Sequence, residues 1–465
     1  MHDSAWMTCD PAGRRPMTRR EALKLLGASL TAPLFSGCAT SPITGETIFV
    51  GMSEAQEIAL DRKLAPQQFS QDLGPIQQAS VNAYVGEVGA RVHAVSHRPH
   101  LPYSYRGLNA NYLNAYTFPA GSVGVTRALL VRLDDEAQLA AVLGHEIGHV
   151  NARHSAQQQA KAMLAQVALT ALDAATSRSE WGQLLVQGGA LGASALLASY
   201  SREQEREADY LGQRYLVLAG YPASAMVRLH QVLLEEEKNQ SGLLETMFST
   251  HPMTQERIQR AQWLSETEFA DGERFPVQRE RFMDRTAPLR ALRPTIERCG
   301  RGEEAMGAKK LTEAEQHFRE AITLTPDDYA ANLRLAQTLL ARGRLDEARS
   351  YAEHARAVYP QEAQAHKVLA AAALQQRRYE EALVALDAYD RLLPGDAGIT
   401  FLRGVSLELF AYRRPLHRHH GPAAVHQRQG PAGELAQRRD GAQVGQRDQV
   451  SQHVAGRGRQ QPRGD

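Results

Sequence analysis

The chain has few cysteines, few aromatic residues and almost no net charge. Three cysteines among 465 residues exclude a disulfide-stabilised scaffold. A formal net charge of +1 gives no reason to expect a nucleic-acid partner. Aromatic residues make up only 6% of the chain, but 43% of it is hydrophobic, which is enough to build packed cores. A chain of this length without such special features is expected to fold as two or three globular domains.

The N-terminus has the layout of an export signal, which we predict over residues 1–37. Basic residues precede a short apolar stretch, Leu25 to Phe35, which is too short to span a membrane. The arginine pair in "TRREALK" fits a twin-arginine signal as well as a general-secretion signal, and both routes stay open. Residues 1–16 lack any such pattern and would be untranslated if Met17 is the true start.

Cys38 stands at the end of this predicted signal. The stretch "LFSGC" resembles a bacterial lipoprotein cleavage box, in which Cys38 would become the lipidated first residue. A lipid of this kind tethers an otherwise soluble protein to a membrane. We therefore predict a periplasmic protein attached by lipid alone, with the outer membrane favoured over the inner and residues 38–52 as a tether.

Helical and extended patterns alternate in the next part of the chain. Ser53 and Gln56 form a capping-box pattern, which predicts the start of a helical region that continues with breaks to about His97. Residues 103–130 are rich in aromatic and β-branched residues, and they predict two or three strands with a turn at "PAG".

The segment "LAAVLGHEIGHVNARHS" places two histidines and a glutamate in an apolar run, which Asp134 or Asp135 can cap as a helix. His145 and His149 are four residues apart on one helical face, so both imidazoles can reach one zinc ion at ~2.0–2.1 Å. Glu146 lies beside that face, where its carboxylate can take a proton from a zinc-activated water. The pattern predicts a hydrolase with one Zn²⁺ per chain and Glu146 as its base.

A second helical segment, "SREQEREADYLG", supplies candidate acids. A catalytic zinc needs three protein ligands and one open position. Glu205 and Asp209 share one helical face, so Glu205 can complete a His-His-Glu set while Asp209 hydrogen-bonds a ligand imidazole. Glu203 and Glu207 lie off that face and are interpreted as solvated charges, although spacing alone leaves them open as alternative ligands.

These two segments together resemble the HtpX-like and CAAX-prenyl-protease-like family of zinc endopeptidases. The resemblance implies that Glu205, the first acid of the E-x-x-A-D motif, is the third ligand and that Asp209 supports the site. The stretch "NAYTFPAGSVGVTRALL" is similar to the family's strand that pairs with extended substrate, which implicates Asn114, Ala115 and Tyr116. The stretch "STHPMTQERI" resembles the family's His-Pro segment and brings in His251.

Two histidines and one apolar stretch carry further expectations. The resemblance implies that His251 is a gate or fourth ligand that keeps a resting enzyme closed, with a capping histidine in its turn as the alternative. His154 lies five residues past His149 on another helical face and is predicted to be a surface residue. Residues 181–200 are apolar but interrupted by Gln and Gly, which favours a buried helix or a lid beside the active site over a membrane span.

From about residue 300 the sequence repeats with a period of 34 residues. Helix pairs of this length, with small residues where the helices cross and proline at the exit, are typical of tetratricopeptide repeats (TPRs). We predict a TPR domain over residues 300–410, and exported BepA-like members of the same protease family share this architecture. Four columns keep the spacing: Pro326, Pro360 and Pro394; Ala314, Ala348 and Ala382; Ala321, Ala355 and Tyr389; and Leu311, Leu345 and Tyr379.

Residues 411–465 break the repeat pattern. They are crowded with Arg, Gln, Gly and His and lack Lys, Ile and Phe, so they cannot build a core. A disordered basic tail is one interpretation. We favour a frameshift near residue 411, because this composition is typical of a G/C-rich gene read out of frame.

The sequence thus predicts a mainly α chain. A zincin-like α+β metalloprotease domain with a small sheet, over residues 53–290, precedes an α-helical TPR solenoid. The predicted function is an exported zinc-dependent endopeptidase that hydrolyses unfolded or misassembled cell-envelope proteins. The repeats would recruit clients or outer-membrane assembly machinery. The alternative is a non-catalytic TPR chaperone or scaffold with a closed zinc site, which Glu146 argues against because a structural site needs no base.

Overall fold

The fold is described here from a computed structural model, which covers residues 38–161, 200–239, 251 and 254–413. The predicted export signal, most of the apolar stretch 181–200 and the tail from residue 414 lie outside the described residues. Within the described part of the chain, no helix combines the length and the hydropathy needed to cross a membrane. Residues up to Arg414 form one compact unit, which holds all of the elements below.

The described chain begins with a short hairpin. Strand β1 (Cys38–Thr40) pairs antiparallel with β2 (Thr47–Phe49), so the segment predicted as a tether includes regular structure. Cys38 is exposed at the start of β1, and Val50, just after β2, is buried.

The region up to residue 290 surrounds a three-stranded sheet with helices. As predicted, Ser53 caps the first helix with a complete capping box. The elements are α1 (Glu54–Gln71), α2 (Ala79–His93), β3 (Ser104–Leu108), β4 (Ala115–Thr117), β5 (Ser122–Thr126), α3 (Arg127–Leu130), α4 (Glu136–Asn151), α5 (Arg202–Leu218), α6 (Ala225–Asn239), α7 (Gln255–Glu266), a 3₁₀ turn (Ala270–Arg274) and α8 (Arg279–Arg290).

The sheet has β5 at its centre. Strand β3 pairs with it in parallel and β4 pairs with it antiparallel, in the order β3-β5-β4. The turn between β4 and β5 contains Gly121 with a φ of 95°, at the predicted "PAG" turn. Strand β4 is an edge strand of this sheet, and no described strand pairs with its outer side.

Helix α4 lies at the centre of the main hydrophobic core. Asp135 caps it by accepting a hydrogen bond from the backbone N–H of Gln138 at 2.8 Å, which settles the choice between the two predicted caps. Every residue of the helix is buried. A helix buried on all sides gains its stability from packing around its whole circumference.

Helix pairs continue to the end of the described chain. Each repeat proline lies two residues after a helix ends, and the repeat alanines of α10, α12 and α14 are fully buried. The predicted 34-residue period is therefore confirmed. The helices are α9 (Arg293–Gly307), α10 (Leu311–Leu324), α11 (Tyr329–Ala341), α12 (Leu345–Val358), α13 (Gln364–Gln375), α14 (Tyr379–Leu392) and α15 (Ala397–Arg413).

A left-handed residue ends the first helix of each of three successive units. Lys309, Gly343 and Arg377 are 34 residues apart and have φ values of 60°, 74° and 60°. This backbone conformation stops a helix and reverses the chain into the next one. Glycine adopts it freely, whereas the two basic residues adopt it at a cost.

Candidate metal centre

The candidate centre depends on the close approach of helices α4 and α5. A Cβ atom on Gly148 would lie 2.9 Å from the carbonyl oxygen of Ala208, closer than a side chain tolerates. A Cβ on Gly212 would lie 3.1 Å from the backbone nitrogen of His145. Glycine at these positions therefore lets the two helices pack backbone to backbone, which brings the side chain of Glu205 to the two histidines.

Four side chains converge in this space. His145, His149, Glu205 and His251 are buried, and one ligand atom from each lies within 4.8 Å of the others. The Nε2 atoms of His145 and His149 are 3.1 Å apart. Glu205 places Oε1 3.3 Å from His149 Nε2 and Oε2 3.6 Å from His145 Nε2. The three residues predicted as zinc ligands are thus brought together.

His251 joins the same group from the segment before α7. Its Nδ1 lies 2.9 Å from Glu205 Oε1 and 3.3 Å from His145 Nε2. Its Nε2 lies 3.9 Å from Glu146 Oε1. Burial lowers the pKa of this histidine, but the facing carboxylate of Glu205 outweighs burial and raises it overall.

The donors present fit a zinc ion. Two imidazoles and a carboxylate are a donor set of catalytic zinc sites, and a third imidazole stands at the remaining side. Glu146 lies next to this set, and its Oε2 is buried without a hydrogen-bond partner among the described residues. Burial raises the pKa of the Glu146 carboxyl, which suits a group that must take up a proton.

A second layer of contacts orients the ligands. Asp209 Oδ1 lies 3.0 Å from His145 Nδ1, as expected for a supporting acid. Arg257 donates to both oxygens of Asp209 at 2.7 Å, and its Nη1 lies 2.7 Å from Glu205 Oε2. Burial opposes ionisation of Asp209, but the Arg257 guanidinium, which donates to both of its oxygens, outweighs burial and holds the pKa of Asp209 well below the usual range.

Sequence reasoning missed Arg257, although it lies in the quoted "STHPMTQERI" stretch. Its position in the first turn of α7, six residues after His251, was the available signal. A buried arginine with two carboxylate partners keeps both acids ionised. His251 and Arg257 together lower the pKa of Glu205, and Arg257 lowers the pKa of Asp209.

The prediction that His154 is a surface residue is wrong. Its side chain is fully buried, because Arg153 adopts a left-handed φ of 60° that turns the chain back at the end of α4. His154 Nδ1 lies 2.9 Å from His149 Nδ1, and its Nε2 lies 3.1 Å from Glu207 Oε2. The Nδ1–H of His149 can therefore donate to His154, whose Nε2–H donates to Glu207, and this leaves His149 Nε2 free to bind metal.

Glu207 is accordingly not a purely solvated charge. It keeps 38% of its side chain exposed but serves as the outer partner of His154, while Glu203 is 78% exposed and pairs only loosely with Arg206. Neither residue enters the group of four, so the alternative ligands left open by spacing are not brought to the site.

The ring of Tyr200 covers one face of the His149 imidazole. The two rings stack at a centroid distance of 3.8 Å, and the Tyr200 hydroxyl lies 3.1 Å from Ser155 Oγ. This is the single residue of the apolar stretch 181–200 within the described residues, and it lies against the predicted active site. Sequence pattern alone gives no reason to expect this stacking.

The residues predicted for the substrate strand lie at the edge of the sheet. Ala115, the first residue of β4, lines a small cavity together with His145 and Glu146. Asn114 pairs its backbone with Thr126, at the end of β5. Tyr116 instead points its hydroxyl at Asp72 and packs near Phe118, so it stabilises the strand from the opposite side.

Comparison with known proteins matches two parts of the chain to families. Residues 79–265 match peptidase family M48, and residues 305–372 match the tetratricopeptide repeat. The first match spans the three-stranded sheet, α4, α5 and the whole His251–Arg257 segment. The second lies within the helix pairs described above.

Three relatives illustrate this similarity. A beta-barrel assembly-enhancing protease of Yersinia pestis is 29% identical over 245 residues, which cover 50% of this chain and 50% of that protein. One of Escherichia coli (strain K12) is 26% identical over 336 residues, 66% of this chain and 69% of that protein. A mitochondrial metalloendopeptidase OMA1 of Schizosaccharomyces pombe is 33% identical over 189 residues, 40% of this chain and 53% of that protein. The chain spans half the length of the Yersinia relative.

Proposed function

We propose that this chain, which joins a peptidase family M48 domain to tetratricopeptide repeats, is an exported zinc-dependent endopeptidase. The observation that carries the proposal is the convergence of His145, His149 and Glu205 beside the buried carboxylate of Glu146. A purely structural metal site would fill four positions with ligands and would not need a neighbouring base.

The chain's own residues would divide the work of peptide hydrolysis. When bound, zinc would polarise the scissile carbonyl and lower the pKa of the attacking water. His145, His149 and Glu205 would hold it, and Glu146 would take the proton from the water and deliver it to the leaving amine. Arg257 and, once it has moved away from Glu205, His251 would supply positive charge near the oxygen that becomes negative during attack.

Substrate would bind as an added strand. Strand β4 ends one side of the sheet beside the metal centre, and its outer side has no strand partner among the described residues. Extended peptide could therefore pair with residues 114–117 through backbone hydrogen bonds. Such pairing depends on the backbone of the substrate and little on its side chains. It therefore suits an enzyme that acts on many unfolded proteins.

We further propose that the protein works in the periplasm on unfolded or misassembled envelope proteins. Two relatives carry the name beta-barrel assembly-enhancing protease, and the sequence begins with an export-signal pattern that ends at Cys38. Lipidation of Cys38 would hold the protein at a membrane, the outer one being favoured. The repeats would recruit clients or assembly machinery through their concave face.

The position of His251 supports a second candidate, a TPR chaperone whose zinc site stays closed. Its Nδ1 is 2.9 Å from Glu205 Oε1, and it stands beside the other three possible ligands as a fourth donor that could close the centre. In the favoured proposal the same contact is a gate, and His251 must withdraw before substrate binds. The two candidates differ in whether the chain ever cleaves peptide bonds.

Exchange of Glu146 for glutamine separates the two candidates. Glu146→Gln keeps the shape of the side chain but removes the base, so cleavage of denatured casein should fall by at least about a hundredfold. Zinc content, measured by mass spectrometry of the metal, should remain one ion per chain. The matched control is Glu203→Gln, on the exposed side of α5. Equal cleavage by the wild-type and Glu146→Gln proteins would assign the activity elsewhere and leave the chaperone as the better description.

A further inference from the structure

A small cavity next to Glu146 contains one buried polar group that the proposed mechanism does not use. The cavity has a volume of about 30 Å³, which exceeds the roughly 10–15 Å³ that one buried water needs. Its walls beyond the metal centre are formed by Ala115, Leu129, Val142, Leu229, Leu233 and His230.

The walls place the cavity between the substrate strand and the catalytic helix. Ala115 begins the edge strand β4, and Val142 lies one turn before Glu146 on α4. Leu229 and Leu233 lie one turn apart on α6 and enclose the cavity from the other side. A peptide paired with β4 would therefore present the side chain of a residue flanking the cleaved bond to this space.

His230 is the polar wall of the cavity and is 1% exposed. Its Nε2 lies 3.3 Å from Asp209 Oδ1, which accepts the Nε2 proton. With Nε2 donating to Asp209, the neutral form of the ring presents a lone pair at Nδ1, and burial, which lowers the pKa of His230, favours that form. That Nδ1 is buried and has no hydrogen-bond partner among the described residues.

We infer that His230 selects substrates with serine or threonine at one residue flanking the cleaved bond. This inference rests on the proposed peptidase function. A hydroxyl can donate to His230 Nδ1, while its small size fits the cavity and the apolar walls exclude charged side chains. An isosteric apolar side chain, such as valine in place of threonine, leaves the buried acceptor unpaired and is bound less well in the transition state.

Two substitutions distinguish the donor role of His230 Nε2 from the acceptor role of Nδ1. In His230→Gln the side-chain amide can still donate to Asp209, but no acceptor remains where Nδ1 was. In His230→Asn the carbonyl oxygen takes the place of Nδ1, so the acceptor is kept. His93→Gln is the control for loss of a partly buried imidazole, since His93 stacks on Tyr103 and does not line the cavity.

The experiment uses the full chain loaded with zinc and peptide pairs that differ only by Thr/Val or Ser/Ala beside the cleaved bond. We expect kcat/KM of the wild-type protein to favour the hydroxyl peptide about tenfold. The preference should vanish in His230→Gln and persist in His230→Asn and His93→Gln. A wild-type protein without the preference, or a His230→Gln variant that keeps it, overturns the inference.

If the proposed peptidase function itself is wrong, the experiment gives a different result. In that case no cleavage of any peptide would depend on Glu146, whatever residue flanks the bond. Glu146-dependent cleavage without hydroxyl preference would instead leave the peptidase standing and remove only the role of His230. Melting temperatures and zinc content of both variants, matched to the wild type, confirm that the comparison is between folded, loaded proteins.

Discussion

Arg127, at the start of α3, and Asp328, just before α11 of the repeat array, form a buried ion pair, with Nη1 2.7 Å from Oδ2. Both side chains are at most 3% exposed. Asp328 also caps α11 by accepting the N–H of Ala331, and Arg127 donates to Asn111 in the loop before β4. Asn111 in turn donates to Glu303 of α9. The repeats and the loop that leads into β4 are therefore fixed to each other.

Loss of one partner of this pair should destabilise the chain strongly. Asp328→Ala leaves the Arg127 charge buried and unpaired, which costs about 3–5 kcal/mol in the free energy of unfolding. The exposed pair Arg285–Glu87 provides the control, and Glu87→Ala should cost at most about 1 kcal/mol. Urea unfolding followed by circular dichroism measures both. Similar effects of the two substitutions would show that Arg127 is not held by Asp328.

His154 should be needed for tight zinc binding. In His154→Ala the Nδ1–H of His149 loses its acceptor, and zinc affinity should fall about 10–100-fold. Competition with a chromophoric chelator measures the affinity. His354→Ala, which removes a half-exposed histidine in the repeats, should leave it unchanged. His154→Gln, which offers an amide acceptor, should restore part of the loss, whereas an unaltered affinity in His154→Ala would contradict the proposed hydrogen-bond chain.

Zinc itself should stabilise the folded chain. Free zinc at 100 times its Kd should raise the free energy of unfolding by about 2.7 kcal/mol, because the metal binds the folded protein and not the unfolded one. His149→Ala should abolish most of this gain. Thermal unfolding after chelator treatment, with and without added zinc, provides the measurement. An equal gain in the wild type and the variant would place the bound ion at another site.

Gly148 should tolerate no side chain. A Cβ there meets the backbone of Ala208, so Gly148→Ala should separate α4 from α5, cost about 1–3 kcal/mol and weaken zinc binding. Gly86 in α2 is the matched control because a Cβ at this position meets nothing within 4 Å. Gly86→Ala should stabilise the helix by up to about 1 kcal/mol. Loss of zinc affinity in both variants would show that the effect does not come from the α4–α5 contact.

Glu362 should make stability depend on pH. Burial raises the pKa of its carboxyl, and no described Lys, Arg or His pairs with it; Ser70 and the backbone N–H groups of Ala363 and Gln364 donate to it instead. Because the folded-state pKa is raised, stability falls as the pH rises from the unfolded-state pKa through the folded-state one. Glu362→Gln removes this titration, so the variant should gain stability relative to the wild type as the pH rises above 4.5, the ordinary glutamate pKa.

Urea unfolding of both proteins across this range tests the effect of Glu362. Glu353→Gln, at an exposed position of α12 that pairs with Arg349, should show no such trend. If the wild-type protein instead gains stability relative to Glu362→Gln as the pH rises, the folded-state pKa of Glu362 is lowered and not raised.

Sequence reasoning identified the parts of the site that follow from local spacing. His145 and His149 share a helical face through i,i+4 geometry, and the repeat columns keep a fixed period, so both were predictable. That Glu205 reaches the same point came from the E-x-x-A-D resemblance. The physical reason became visible only with the helix contact at Gly148.

The features that sequence reasoning missed depend on contacts distant in the chain or on a single backbone angle. His154 was assigned to the surface because a regular helix would carry it there, whereas the left-handed Arg153 redirects it. The pair of Arg127 and Asp328 joins residues 201 positions apart, and no periodic pattern marks either one. Arg257 and Tyr200 likewise become recognisable only when α5, α7 and α4 are seen together.

The left-handed residues at the helix ends make the stability of the repeat units differ along the array. Gly343 adopts its conformation without strain, but Lys309 and Arg377 each hold an L-residue where it costs about 1–2 kcal/mol. The units on either side of the middle one therefore each lose this amount of the stability that their packing provides. Within the described repeats, this backbone strain therefore lies at both flanks of the three units and not at the middle one.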